Sequence, residues 1–247
     1  MFISAWQIQI QGWASDLEHL ARHFTATSTK VVKDDRGDGF LYESDAFLQC
    51  QTSEKVLAVA NEELPVLSGV LKLVRDSPEP LRAGAVYRLN ANGGRDAFVH
   101  IHETVHVRAE VGEVTIITTD RAGNVISRQA PPPRTIVVSR LSFGDAAVAK
   151  AMRLLAAPDH KSWVGMYRIH EVIESDLGGE HKLKKQGWGS PKDLKRFKHS
   201  ANSVQVGGDA ARHGKEVEEP PKNPMSIDEA AAYLNFVLQS WVAAKGA

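Results

Sequence analysis

An adjacent arginine and histidine, Arg212 and His213, lie in a glycine-rich stretch between Gly208 and Gly214. A histidine can move protons near neutral pH, and an arginine can bind a phosphate through two parallel N–H groups. We therefore predict acid–base chemistry on a phosphate-bearing substrate, with His213 as general acid or base and Arg212 stabilising the developing charge. The structural alternative is a short helix that is capped by Asp209 and ends near this pair.

A second group is cationic and lies just before the pair. Residues 182–198 contain seven lysines and arginines against a single acid, Asp193. Trp188 is in the same stretch, and clustered cations beside an aromatic ring suit phosphate neutralisation and base stacking. The predicted nucleic-acid contacts are Lys192, Lys195, Arg196, Lys198 and His199. The alternative is a solvated helix face that is balanced by the acidic run at Glu216, Glu218 and Glu219.

A third group is a set of histidines on one predicted strand. His100 and His102 are two residues apart, and alternate residues of a strand point to the same side, so the pair can chelate Zn²⁺ or Fe²⁺. His106 would lie about 13 Å further along an ideal strand, which is too far for the same ion. The alternative is the polar face of an amphipathic strand, on which histidines are ordinary.

The first half of the chain, residues 1–142, is predicted to be mostly antiparallel β-structure with one or two short helices. Residues 2–11 alternate apolar and polar side chains, which indicates a strand with one solvated face. Ser15 and Glu18 have the spacing of a capping box, so a helix that packs on the sheet should begin at Ser15. The segment 34–39 is predicted to be a turn.

The remainder of this half is less uniform. Residues 53–64 favour a helix, whereas residues 65–74, which begin with Pro65, fit a strand and a helix equally well. From Val86 to Leu141 the pattern favours strands, with a hairpin turn at Asn92-Gly93-Gly94, a second hairpin over 114–129 and a last strand over 135–140.

The second half, residues 143–247, is predicted to be helical. Its helix start signals are Ser142 with Asp145 before residues 146–157, Ser162 before 163–177, Ser190-Pro191 before 191–201, and Ser226 with Glu229 before the last helix. Gly178 should end the second of these helices. Residues 202–224 are predicted to be irregular. The chain is therefore predicted to be an α+β protein with two domains and a boundary near residue 142.

Composition limits the classes of function. The chain has 247 residues, with 30 basic and 30 acidic side chains, so attraction to nucleic acid must come from a local patch. Cys50 is the single cysteine, which rules out an internal disulfide or a cysteine zinc site. No secretion signal and no membrane span is expected. We expect a soluble cytoplasmic protein with no membrane partner, and no cofactor is expected because nucleotide and dinucleotide fingerprints are missing.

The helical half resembles the helical tail of HEPN-type proteins, which occur in bacterial abortive-infection and toxin systems. The features that carry this resemblance are the paired helices with Trp163, Tyr167, His170 and Glu171, the Ala-Arg-His-Gly motif at 211–214 and the closing amphipathic helix. Active members of that family cleave RNA without a metal, using an arginine and a histidine at a dimer interface. His213 resembles the family's histidine. The arginine departs from the family pattern, because Arg212 is adjacent to His213 rather than several residues before it.

Three functional hypotheses follow from the sequence. The leading hypothesis is an RNA-binding or metal-independent RNA-cleaving protein with a defence or stress role, whose helical half contacts RNA or another phosphate-bearing partner. The second is a non-enzymatic protein that binds a ligand or a protein and forms a homodimer through its helices. The third is a metal enzyme that uses His100 and His102. His170 is expected to be a hydrogen-bonded histidine at the edge of the core rather than a catalytic residue.

Overall fold

A computed structural model gives the fold of the chain. It describes residues 6–25, 27–37, 39–90, 94–98, 132–215 and 219–246. The predicted hairpin over 114–129 lies outside the described residues. The fold is α+β, as predicted: an N-terminal antiparallel sheet is followed by a mostly helical remainder.

The described strands form one antiparallel sheet in the order β2-β3-β1-β4-β5. The strands are β1 (Trp6–Gln11), β2 (Thr29–Lys33), β3 (Phe40–Ser44), β4 (Arg82–Leu89) and β5 (Arg95–Phe98). The predicted alternation in β1 is confirmed, because Trp6, Ile8 and Ile10 are buried and the glutamines between them are partly or fully exposed. The predicted turn at 34–39 agrees with the antiparallel pairing of β2 with β3. β4 pairs with β5, but Asn92 and Gly93 of the other predicted turn lie outside the described residues.

Helix α1 (Ala14–His23) packs on the sheet through Leu17 and Leu20, as predicted. Its predicted capping box is wrong, because the N-cap is Trp13, without a side-chain cap, and Ser15 lies inside the first turn. The Ser15 hydroxyl instead accepts a hydrogen bond from Arg75 at 3.0 Å.

Helix α2 (Ser53–Arg75) resolves the ambiguity over residues 65–74, since it continues through Pro65 as a single helix of 23 residues. It has two apolar stripes. One stripe packs in the core beneath the sheet and comprises Val56, Ala60, Leu64, Leu67 and Leu71. The other stripe packs in the core of the helical part and comprises Val66, Val70 and Leu73. The helix thus connects the two cores.

Helix α3 (Arg134–Gly144) replaces the strand that was predicted over 135–140, and that prediction is wrong. Two of its β-branched residues are buried on different sides of the helix, Ile136 in the sheet core and Val138 in the helical core, while Val137 between them is exposed. The Thr135 hydroxyl lies 2.7 Å from His19 Nε2, which ties α3 to α1. The helical region therefore begins at Arg134, and the domain boundary near 142 stays a prediction.

The helical part continues with α4 (Ala146–Ala156), α5 (Trp163–Leu177), α6 (Glu180–Lys185), α7 (Pro191–Asn202), α8 (Val204–Gly207) and α9 (Ile227–Lys245). The predicted helix starts at Ser162, Ser190 and Ser226 are confirmed, and Ser226 forms a full capping box with Glu229. Asp145, not Ser142, caps α4. Across the described ranges, no helix combines the length and apolar character needed to cross a membrane.

Candidate functional site

Arg212 is held against α5 and α7 from several directions. Its Nη2 donates to Glu171 Oε1 at 2.7 Å, and its guanidinium lies 4.1 Å from the centre of the Tyr167 ring. Its Nη1 reaches Asn202 Oδ1 at 3.4 Å, and its backbone N–H donates to Ala201 at 2.9 Å. The structure therefore brings Arg212 together with the Tyr167 and Glu171 pair of α5.

His213 lies beside this guanidinium, with its Nε2 3.3 Å from Arg212 Nη1. A guanidinium only donates hydrogen bonds, so Nε2 is the acceptor in this contact. His213 is half-buried and so retains contact with solvent. The pair that the sequence singled out is thus ordered against α5, and the residues 202–215 contain a short helix rather than wholly irregular chain.

The outward face of α7 leads toward this pair. Lys192 and Lys195 are exposed and one turn apart, and the same face continues through His199 to Asn202. Lys192 and Asn202 are ten residues apart, which is about 15 Å along a helix axis. Because Asn202 contacts Arg212, the Arg212–His213 pair lies at the end of the face that begins with the two exposed lysines, with His199, which contacts Glu219, between them. We call Lys192, Lys195, Asn202, Arg212 and His213 the α7 surface.

Lys198, in contrast, is directed to the acids of α5 and α6. Its ammonium lies 2.6 Å from Glu180 Oε2 and 3.2 Å from Glu174 Oε2. Burial alone would lower the pKa of Lys198, but hydrogen bonds with Glu180 and Glu174 hold it above its usual value. Hydrogen bonds from Lys184 and Lys198 lower the pKa of Glu180 to about 2. Lys198 therefore takes part in an internal ion cluster.

Arg196 and His199 contact the chain that precedes α9. Arg196 donates to the carbonyl oxygens of Asn223 and Pro224, both at 3.1 Å. His199 Nε2 lies 2.7 Å from the carbonyl oxygen of Glu219. Both side chains hold the segment 219–225 onto α7. The charge pattern of the sequence could not show these contacts, because it does not say which backbone atoms lie near α7. Lys192 and Lys195 are the members of the predicted cationic set that are fully on the surface.

His170 differs from the expectation of a hydrogen-bonded residue at the edge of the core. Its side chain is fully buried against Phe197, and neither ring nitrogen has a hydrogen-bond partner among the residues described. The nearest acid is Glu174, whose Oε2 lies 3.5 Å from Nδ1. Burial lowers the pKa of His170 to about 4, so the ring is neutral near pH 7 and this contact is not an ion pair.

The predicted metal ligands His100 and His102 lie outside the described residues. Within the part of the chain that the structure covers, no group of three or more histidine, cysteine, aspartate or glutamate side chains could hold a metal ion. The metal-enzyme hypothesis thus stays a prediction.

Comparisons with protein-family models, with curated proteins and with solved structures find no match for this chain. The resemblance of the helical half to HEPN-type proteins therefore stays a prediction.

Proposed function

We propose that the helical part of this protein binds RNA on the α7 surface. One observation carries the proposal: two exposed lysines and the Arg212–His213 pair lie along the same face, joined by the Asn202–Arg212 contact. Lysines in a row provide phosphate neutralisation, and the pair at the end provides a guanidinium and an imidazole for a phosphate group. The net charge of the chain is zero, so this local surface has to supply the attraction.

Arg212 retains hydrogen-bonding capacity for a phosphate. A guanidinium has five N–H groups, and in this structure Glu171, Asn202 and His213 take three of them. The Nε–H and one Nη2–H are left for phosphate oxygens. Glu171 also offsets the charge of Arg212 in the absence of RNA. A bound phosphate group therefore either shares Arg212 with Glu171 or replaces Glu171 as its partner.

The same pair supports a cleavage step at the bound phosphate. His213 takes the proton of a ribose 2′-hydroxyl, O2′ forms a bond to phosphorus, and the bond from phosphorus to O5′ breaks. The products are a 2′,3′-cyclic phosphate and a 5′-hydroxyl, with solvent supplying the proton for O5′. Arg212 stabilises the additional negative charge on the phosphoryl oxygens. For this step His213 must release Nε2 from its hydrogen bond with Arg212.

Binding is tested by purifying the full chain and measuring absorbance at 260 and 280 nm. The wild type is expected to retain RNA, and Lys192→Glu/Lys195→Glu is expected to lose it. A matched control is Lys150→Glu/Arg153→Glu, which makes the same charge change at exposed positions one turn apart on α4. Variants of Arg196 are unsuitable, because they also release the 219–225 segment.

Cleavage is tested with a labelled single-stranded RNA in the presence of a chelator. We expect His213→Ala to abolish product formation while RNA binding persists. Equal cleavage by His213→Ala would refute the assignment of His213. A wild type that neither retains nor binds RNA would refute the proposal and favour the interaction-protein hypothesis, which light scattering would then test through the expected dimer.

A further inference from the structure

A cleft of about 690 Å³ lies on another side of the helical part, between the end of α2, the chain before α5, and α9. Four buried apolar side chains form its wall: Leu73, Met166, Leu234 and Leu238. Sites for small molecules typically enclose about 300–1,000 Å³, with mostly apolar walls and a few polar groups. The cleft has the size and the wall of a ligand site.

Cations are placed at the rim of this cleft. Lys161 is exposed, and the half-buried Lys72 donates to the carbonyl oxygen of Ser77 at 3.2 Å. Arg75 also lines the cleft, but its charge is paired with Asp16 at 2.7 Å. The acidic residue of the lining is Asp76, so positive charge exceeds negative charge at the rim.

His160 lines the cleft and has one ring nitrogen without a hydrogen-bond partner among the described residues. Its Nδ1 lies 2.8 Å from the carbonyl oxygen of Ala157 and therefore carries the proton. Its Nε2 is buried, without a hydrogen-bond partner among the described residues. Burial lowers the pKa of His160, and Lys72 and Lys161 lower it further, whereas Asp159 acts in the opposite direction. An anion next to the two lysines would favour the protonated ring, because it offsets their charge.

We propose that this cleft binds a small amphipathic anion, with an apolar body against the leucine and methionine wall and an acidic group at Lys72 and Lys161. His160 belongs to the same lining, and we expect it to take up a proton at Nε2 when the anion is bound, because the anion offsets the charge of Lys72 and Lys161. This site is separate from the α7 surface, and its occupation does not require RNA.

The test is calorimetric titration of the full chain with octanoate, octanol and octylammonium, three probes that share one apolar body. Octanoate is expected to bind, octanol to bind more weakly and octylammonium not to bind. Lys161→Glu is expected to weaken octanoate binding about two- to fivefold, the effect of one exposed charge pair. Lys55→Glu, an exposed lysine of α2 outside the cleft, is the matched control and is expected to bind as the wild type does.

Two further variants locate the ligand. Ala232→Trp places a large ring at an exposed position of the cleft lining and is expected to abolish octanoate binding. His160→Gln is expected to remove the proton uptake that the wild type shows when the titration is repeated in two buffers of different ionisation enthalpy. No octanoate binding, equal binding of the three probes, or unchanged binding by Ala232→Trp would overturn the proposal.

Discussion

At the scale of single residues, Arg212 both anchors a segment and offers a functional group. Its side chain connects the segment 203–215 to α5 through Glu171 and Tyr167. The sequence identified Arg212 and His213 by their types and their glycine-rich surroundings. It could not pair Arg212 with Glu171, because 41 residues separate them and no periodic pattern relates a loop residue to a helix face.

The anchor can be measured by a double-mutant cycle on Arg212→Ala and Glu171→Ala. We expect a coupling free energy of about 0.5–1 kcal/mol, since both side chains are partly exposed and solvent screens the pair. The loss in Arg212→Ala should be larger than in Glu171→Ala, because the Tyr167 contact is also removed. Urea unfolding gives the free energies.

The pair Lys33–Glu18, at 2.8 Å on the surface of the sheet part, is the control for this cycle. Lys33 is more exposed than Arg212, while Glu18 and Glu171 are about equally exposed, so the coupling of Lys33 with Glu18 should be smaller. Equal coupling free energies in the two cycles would contradict the role of Arg212 as an anchor. So would an Arg212→Ala variant in which the segment 203–215 is no more sensitive to protease than in the wild type.

His170 predicts a pH dependence of stability. Its pKa is about 4 in the folded chain and about 6.5 in the unfolded chain, so the unfolded chain binds more protons between these values. The free energy of unfolding should therefore fall as the pH decreases through 6.5, by about 2 kcal/mol between pH 7 and pH 5. His170→Met should remove much of this dependence, as followed by urea unfolding at both pH values.

The control for His170→Met is His181→Gln, which changes an exposed histidine of α6. His181→Gln should show the pH dependence of the wild type. If His170→Met loses as much stability at pH 5 as the wild type does, the buried neutral histidine is not the cause.

At the scale of elements, several helix ends could be predicted, although the caps expected at Ser15 and Ser142 do not form. Ser162, Ser190 and Ser226 accept hydrogen bonds from the first turns of their helices, and Gly178 adopts the left-handed conformation that ends α5. These signals act within a few residues and are therefore visible in the sequence.

Elements that depend on tertiary contacts were less predictable. Residues 135–140 have a β-branched composition that favours a strand, yet they form α3 because Ile136 and Val138 each enter a different core. Packing also explains why Pro65 lies inside α2. The contacts on both sides of the helix outweigh the backbone hydrogen bond that proline cannot donate. In both segments, packing into the two cores outweighs the local secondary-structure propensity.

The close contact of α2 with α4 depends on Gly69. A Cβ atom at this position would lie 2.1 Å from the carbonyl oxygen of Met152, which is backbone and cannot rotate away. Gly69→Ala gains about 1 kcal/mol of helix propensity, but we expect a net loss of about 2 kcal/mol or more from the displaced helices. Thermal and urea unfolding would measure this loss.

Gly144→Ala is the matched control for Gly69→Ala. Gly144 is the last residue of α3, and an added Cβ would meet nothing within 4 Å. Its substitution should change the free energy of unfolding by about 0.5 kcal/mol or less. Similar effects of the two substitutions would show that the approach of α2 to α4 is not set by Gly69.

At the scale of the whole molecule, α2 and α3 join the sheet part and the helical part, because each contributes side chains to both cores. The charges are balanced over the chain, and three of the seven cations of the 182–198 segment, Lys184, Arg196 and Lys198, form ion pairs or hold neighbouring backbone. The proposed attraction to RNA therefore depends on a small surface, the α7 surface with Lys192, Lys195 and the Arg212–His213 pair.

The salt dependence of RNA binding tests this claim most directly. Anisotropy of a labelled single-stranded RNA would be measured at several KCl concentrations for the wild type, Lys192→Ala/Lys195→Ala and the control Lys150→Ala/Arg153→Ala. Each phosphate contact contributes about 0.7 to the slope of log K against log salt, so the lysine variant should lose about 1.4 from the wild-type slope while the control keeps it. An unchanged slope in the lysine variant, or no binding by the wild type, would contradict the α7 surface as the RNA site.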